Sequence, residues 1–151
     1  MTTTVQGIEA FHKLVGTHIG YSEWLLIDQE RVNLFADATG DHQWIHVDPE
    51  RAKEGPFGGA IAHGYLTLSL APVLLQQVLK VEGMKFGVNY GCNKVRFPSP
   101  VMVGSKLRQG VKVMSVEDVT GGVQVTYEMT LETEGASKPN CVAEVVYRYF
   151  A

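Results

Sequence analysis

The sequence is poor in the features that mark several large classes of protein. Its two cysteines, Cys92 and Cys141, lie far apart and fit no metal-binding spacing, so we expect two free thiols and no disulfide framework or zinc finger. Thirteen basic and sixteen acidic residues give a net charge of −3. Such a chain has no broad basic surface, so nucleic acid is not an expected partner, and an anionic ligand must meet a local group of cations.

Long apolar runs and the pattern of a secretory leader are also lacking. The most apolar stretch, residues 60–79, is interrupted by His63, Gly64 and Pro72, which is typical of a buried helix and not of a membrane span. Residues 1–6 lack the charged-then-apolar pattern of a signal peptide. We therefore expect a cytoplasmic protein with no membrane partner.

The length and the composition are those of one folded domain, which we expect to span residues 1–151. The chain is 45% hydrophobic and 19% charged, enough to bury a sizeable core. A short helix is predicted over residues 8–15, and a second one lies between an N-cap at Asp28 and a stop at Gly40. Asp48-Pro49-Glu-Arg-Ala52 predicts a further short, capped turn of helix.

The longest predicted helix covers residues 64–80 and is apolar on nearly every side. Pro72 lies inside it, so we expect a kink or a break there. The second half of the chain is typical of strands, and residues 123–132 alternate apolar and polar positions throughout. Strands are predicted over residues 22–27, 85–97, 107–119, 123–132 and 141–150, and the last three are close enough in sequence to form an antiparallel meander.

One fully apolar helix and about five antiparallel strands have few compact arrangements. The sheet must wrap the helix, because nothing else in the chain could cover it, and this predicts the α+β hot-dog fold. Residues 85–97 would then leave a long unpaired edge. We expect a homodimer in which two such edges pair about a two-fold axis.

The chemistry is concentrated in two short polar segments. Asp41 and His46 lie five residues apart in a loop after a helix, and Gly58-Gly-Ala-Ile-Ala-His63-Gly64 leads into the apolar helix. A carboxylate and an imidazole can hold one water, and the Gly64 N–H can hold a carbonyl oxygen as it gains charge. Together they indicate addition of water to, or its removal from, an activated carbonyl compound.

Simpler roles exist for each of these residues. Asp41 follows Gly40 and fits an ordinary turn, and His46 has apolar neighbours and fits a buried core histidine. A metal site is another alternative, but residues 44–49 do not look helical, and we expect no metal. Its ligands would be His42, His46, Asp48 and His63. Thr67 and Ser69 lack the surroundings of a nucleophile and are expected to pack within the helix.

From about residue 20 to its end, the chain resembles the MaoC-like branch of the hot-dog superfamily, the (R)-specific enoyl-CoA hydratases. The stretch from Thr39 to Ala52 and the segment from Gly58 to Gly64 are most similar to the nodulation-protein-N-like subgroup. The whole chain also resembles the mycobacterial 3-hydroxyacyl-thioester dehydratases. Gln43 and Trp44 stand where the family usually has Asn-Pro, so we expect differences in the loop and in the shape of the substrate.

The resemblance implies (R)-specific hydration of trans-2-enoyl-CoA and the reverse dehydration. Asp41 and His46 would activate the water, the Gly64 N–H would bind the thioester oxygen, and coenzyme A would enter only as part of the substrate. A thioesterase on the same fold is one alternative, although residues 64–80 contain no carboxylate for it. A non-catalytic acyl-binding subunit is another, suggested by Gln43-Trp44.

The resemblance also implies the places where substrate would be held. These are residues 60–63 before the apolar helix, residues 86–89 at the start of the next strand, and residues 97–100 at the end of that strand. We expect residues 97–100 to meet the Asp41 and His46 loop of the partner subunit. Lys94, Arg96 or Lys138 would balance the charge of coenzyme A, and Lys138 is favoured because its turn is exposed. The full set is Ala60, Ile61, Ala62, His63, Phe86, Gly87, Val88, Asn89, Phe97, Pro98, Ser99, Pro100 and Lys138.

Overall fold

Three long consecutive strands form the meander that the alternating sequence predicts. In the computed structural model, which describes residues 2–151, they are β6 (Lys106–Val119), β7 (Gly122–Thr133) and β8 (Cys141–Phe150). Each pairs with the next in antiparallel register. β7 lies in the middle and buries every second side chain, because only one face of the sheet meets the core. The buried side chains are Val123, Val125, Tyr127, Met129 and Leu131.

The two sides of the sheet are completed differently. β5 (Phe86–Arg96) pairs with β8 and forms one edge. On the other side, β2 (His18–Tyr21) and β3 (Leu25–Leu26) both pair with β6. The single strand predicted over residues 22–27 was therefore wrong, since the Glu23 N–H turns away from the sheet to the Gln77 side chain at 2.9 Å.

The apolar helix is broken into α5 (Gly64–Ser69) and α6 (Ala71–Val78), which confirms the break expected near Pro72. Proline lies in the first turn of α6, where no intrahelical acceptor is needed for its missing N–H. The Leu74 N–H still reaches the Leu70 carbonyl at 3.1 Å, so the two helices follow each other closely. Apolar side chains of both pack on the buried face of the sheet, giving the predicted hot-dog arrangement.

The apolar helix predicted over residues 64–80 ends two residues early, at Val78. Leu79–Glu82 forms β4, which pairs in parallel with β1 (Thr3–Gln6). No local pattern indicates this pair, because the two strands lie more than seventy residues apart in the chain. α1 (Gly7–His12) is also shorter than predicted, since the chain turns after Phe11 and the Gly16 N–H bonds the Val113 carbonyl at 2.8 Å.

Local signals do set the boundaries of α2 (Gln29–Thr39). Asp28 caps it by accepting from the Arg31 N–H at 2.9 Å, and Gly40 ends it with a φ of 84°, a conformation that favours glycine. α4 (Pro49–Lys53) also forms as predicted. The one-turn helix α3 (Trp44–Val47) was not expected, and it places His46 on a helical turn. Within residues 2–151, none of the helices is long and apolar enough to cross a membrane.

Candidate active site

The loop after α2 and the start of α5 meet at two buried histidines. The rings of His46 and His63 stack with their centroids 3.9 Å apart and their planes at 23°. A carboxylate oxygen of Asp41 and one ring nitrogen from each histidine lie within 4.8 Å of one another. Asp41, both histidines and Gly64 line one cavity of about 280 Å³. The structure therefore brings together the three residues that the sequence predicts as the reactive set.

His46 is held as a neutral ring with one nitrogen available. Its Nδ1 lies 2.7 Å from the Ile61 carbonyl oxygen, which can only accept, so Nδ1 carries the proton. Within residues 2–151, Nε2 has no hydrogen-bond partner, and it is not closed off from solvent. Burial lowers the pKa of His46 and outweighs the Ile61 carbonyl and the Asp41 charge, both of which raise it. At neutral pH, Nε2 is thus a free proton acceptor.

Asp41 presents an exposed carboxylate beside this ring. Its Oδ1 accepts a long hydrogen bond from the Gln43 N–H at 3.3 Å. Trp44 packs away from the cavity, where the Arg51 guanidinium lies 4.3 Å above its ring. Trp44 also occupies the first position of α3, and this position accepts a proline equally well. The replacement of Asn-Pro by Gln43-Trp44 therefore leaves Asp41 and His46 together.

Gly64 lies between two cavities. The second, of about 290 Å³, is lined by Gly64 and His46 and reaches the segment that follows β5. A Cβ on Gly64 would meet the Phe97 ring at 3.4 Å, an ordinary contact, so the ring of Phe97 lies directly beside this backbone. The Gly64 N–H begins α5 and has no backbone acceptor in the described chain.

The predicted substrate residues divide into two groups. His63 lines the first cavity, and Ile61, Ala62 and residues 97–100 line the second. Ala60 is buried nearby, with its carbonyl bonded to Val103. Residues 86–89 do not reach either cavity. Gly87 and Asn89 line separate cavities beside the broken helix, and Phe86 and Val88 are exposed on β5.

The segment 97–100 also lines a cavity of its own chain, beside His46. Its contact with the Asp41 and His46 loop of a partner subunit stays a prediction. The Ala62 N–H donates to the Val101 carbonyl at 2.8 Å, which holds this segment against the loop before α5. The sequence does not predict this contact, because the two segments lie far apart in the chain.

Asn140 is a residue of the site that sequence reasoning missed. It is buried, lines the second cavity, and donates from Nδ2 to the Pro100 carbonyl at 2.9 Å. Its Oδ1 accepts from the Thr133 N–H at 2.8 Å. Lys138 lies exposed in the same turn, and the adjacent Pro139 carbonyl accepts from Ser99 at 3.1 Å. A lone asparagine at the end of a turn gives no sequence signal for such a role. Other lining residues that were missed are Phe35, Thr39, Phe57, Tyr65, Thr67 and Val101.

The ligand types of a metal site are present, but their arrangement does not suit an ion. Imidazole binds metals along a lone pair in the plane of the ring, and two stacked rings do not direct such lone pairs at one point. The free nitrogen of His63, Nδ1, is also closed off from the cavity. The geometry fits a hydrogen-bonded water between Asp41 and His46 better than an ion.

Comparisons with known proteins identify relatives of this chain. The chain is 54% identical to the 3-hydroxyacyl-thioester dehydratase Z of Mycobacterium tuberculosis over 149 residues, or 98% of this chain and 99% of that protein. It is 47% identical to nodulation protein N of Rhizobium leguminosarum over 133 residues, or 85% and 82% of the two chains.

Solved structures share the fold. A monoamine oxidase regulatory protein from Archaeoglobus superposes with a TM-score of 0.79 at 23% identity, covering 99% of this chain and 97% of that one. The R-hydratase PhaJ1 of Pseudomonas aeruginosa gives 0.72 at 25% identity, covering 89% and 81%. The family model described as the MaoC like domain matches residues 10–134. From its sequence, its fold and its relatives, this chain belongs to the MaoC-like family.

Proposed function

We propose that the protein hydrates trans-2-enoyl-CoA to (R)-3-hydroxyacyl-CoA and catalyses the reverse dehydration. The observation that carries the proposal is the free Nε2 of a neutral His46 beside the Asp41 carboxylate, in a cavity that Gly64 also lines. Relatives named as a 3-hydroxyacyl-thioester dehydratase and an R-hydratase support this class of reaction and its stereochemistry.

In the hydration direction, Asp41 and His46 hold one water over carbon 3 of the substrate. Conjugation with the thioester makes this carbon electrophilic. The water oxygen bonds to carbon 3, one of its protons passes to the Asp41–His46 pair, and the pair returns a proton to carbon 2 on the same face. Atoms and charge balance, and the two residues end as they began. The free Nε2 of the neutral His46 ring is the better-placed proton acceptor of the two.

The Gly64 N–H is proposed to stabilise the negative charge that develops on the thioester oxygen. It lines both cavities and points away from the helix that it begins, so it is available when the enolate forms. The acyl group would lie in the cavity with Asp41, and the pantetheine arm in the cavity lined by residues 97–100. Lys138, exposed beside this second cavity, would contact a phosphate of coenzyme A. Only these groups and the substrate are needed, so no separate cofactor is proposed.

We also propose that the working protein is a homodimer paired through β5. This strand pairs with β8 on one side only among residues 2–151, and nearly all of its side chains are exposed on both faces. Its large apolar side chains include Phe86, Val88 and Tyr90. Pairing of two copies would bury them and cover the cavities beside Gly87 and Asn89. With its free thiols Cys92 and Cys141, the protein is proposed to work in the reducing cytoplasm.

The test is hydration of a ladder of enoyl-CoA substrates from four to sixteen carbons. The loss of enoyl-thioester absorbance gives the rate, and chiral separation of the 3-hydroxy product gives the stereochemistry. The proposal expects (R)-3-hydroxyacyl-CoA and no release of thiol from saturated acyl-CoA. Thiol release would identify a thioesterase instead, and tight binding with no turnover at any length would identify an acyl-binding subunit.

A further inference from the structure

We propose that His63 is a positioning residue of this site, which fixes the backbone of Asp41 by a hydrogen bond and the ring plane of His46 by stacking. The inference rests on the proposed function, because the groups that it positions are those assigned there to the water. His63 itself takes no part in the proton transfers of that mechanism, and its role goes beyond bordering the thioester.

The first contact ties two distant segments together. His63 Nε2 lies 2.9 Å from the backbone oxygen of Asp41, 22 residues earlier in the chain. A carbonyl only accepts, so Nε2 carries the proton. The other hydrogen bonds of Asp41 within residues 2–151 are local and longer, at 3.4 Å to Thr39 and 3.3 Å from Gln43. The bond from His63 is therefore what connects the Asp41 backbone to the rest of the site.

The second contact fixes the orientation of the general base. The hydrogen bond from His46 Nδ1 to the Ile61 carbonyl anchors one ring nitrogen, and the ring can still tilt about its Cβ–Cγ bond within the angular tolerance of that hydrogen bond. The His63 ring lies against it with centroids 3.9 Å apart, and Phe35 packs on His63 at 4.9 Å. This packing restricts the His46 plane, so Nε2 keeps its direction. A misplacement of about 1 Å in such a group lowers a rate by about a hundredfold.

The chemistry of the His63 ring argues against a role in packing alone. Its Nδ1 is buried and has no hydrogen-bond partner among the described residues, and His63 is only 3% exposed. An orphaned polar atom is unfavourable in a protein interior. An apolar ring of similar size would fill the space without that cost, but it could not donate to Asp41.

Two substitutions separate the two contacts. His63→Phe keeps a ring against His46 and removes the donor, whereas His63→Gln keeps an N–H donor at a similar distance and removes the ring. In hydration of crotonyl-CoA, we expect His63→Phe to lower kcat about ten- to a hundredfold with KM within about threefold, and His63→Gln to retain more activity. His12→Gln, at an exposed histidine paired with Asp118, is the control. The inference is overturned if folded His63→Phe keeps kcat within about twofold of the wild type.

A measurement on the wild-type protein tests the same contacts without relying on activity. Nitrogen NMR of the histidine-labelled protein at neutral pH should show His63 protonated at Nε2 and His46 protonated at Nδ1, with signals assigned by their loss in His63→Gln and His46→Ala. The opposite tautomer at His63 would overturn the inference. If the wild type hydrates no enoyl-CoA, the proposed function fails, whereas the tautomers still decide whether His63 makes these contacts.

Discussion

The segment 40–64 and the meander of β6, β7 and β8 solve opposite problems. The meander buries alternate apolar side chains over long, regular strands. The segment 40–64 is made of loops and single helical turns, and it buries two imidazoles, each of which is held by one hydrogen bond to a backbone carbonyl. Burial of polar groups is costly unless they are hydrogen-bonded, so these carbonyls determine where the histidines lie. From this difference we expect stability and chemistry to depend on separate parts of the chain.

The most severe way to test this separation is to remove the reactive side chains. We expect Asp41→Asn and His46→Ala to lower kcat for crotonyl-CoA about 10²- to 10⁴-fold, because proton transfer loses a partner. The melting temperature should change little for Asp41→Asn, since this side chain is exposed. Asp37→Asn and His42→Ala, an exposed pair on the neighbouring surface, are the matched controls. Near-wild-type hydration by a folded Asp41 or His46 variant would contradict the assignment.

Substitutions in the meander should lower stability and leave kcat nearly unchanged. Met129→Ala, in the fully buried row of β7, should lower the free energy of unfolding by about 2–5 kcal/mol, because it leaves a cavity in the core. Urea titration measures this loss, and kcat per folded molecule should stay close to that of the wild type. Thr130→Ala, half-buried on the opposite face, should cost less. A large fall in kcat for Met129→Ala at full folding would mean that the two regions are coupled.

The exposed edge strand β5 differs from the buried meander within the same sheet, and its role in pairing two subunits can be tested. A charge at the exposed Val88 should oppose pairing of two edges, so we expect Val88→Lys to change a dimer into a monomer in sedimentation at micromolar concentration. We expect activity to fall with dissociation. Val15→Lys, at an exposed valine away from β5, serves as the control. A wild-type protein that is monomeric and fully active would contradict the dimer proposal.

The buried His46 should leave a signature in the pH dependence. Activity requires its neutral ring, and burial lowers its pKa from the ordinary 6.5, so the acid limb of kcat/KM should lie below pH 6.5. The free energy of unfolding should also decrease at acid pH. As the pH falls below about 6.5, the unfolded chain binds a proton that the folded protein still excludes, so the free energy of unfolding declines. An acid limb above pH 6.5 would show that His46 is not the group that titrates.

The smallest effect is expected at the surface beside the second cavity. Lys138→Ala should raise KM for crotonyl-CoA several-fold and leave kcat nearly unchanged, because a phosphate contact acts only in binding. The increase should vanish with crotonyl-pantetheine, which lacks the phosphates. Lys53→Ala, at an exposed lysine paired with Glu50, is the control. A large loss of kcat would argue against a remote phosphate contact.

The sequence by itself determined the features that depend on neighbouring residues. Asp28 and Gly40 set the limits of α2 because an N-cap and a left-handed glycine act within one helical turn. Strict alternation determined β7, since side chains on a strand point to opposite faces in turn. The spacing of Asp41 and His46, followed by Gly64, was enough to select three residues that the structure brings together around one cavity.

Only the tertiary structure decided the contacts between distant residues. These include the pairing of β1 with β4, the His63 bond to Asp41, the His46 bond to Ile61, and the wall formed by residues 97–100 with Asn140. Each joins segments that are far apart in the chain, and the acceptor is often a backbone carbonyl, which every residue carries. Because a carbonyl has no sequence signature, its partner becomes known only when packing brings the two segments together.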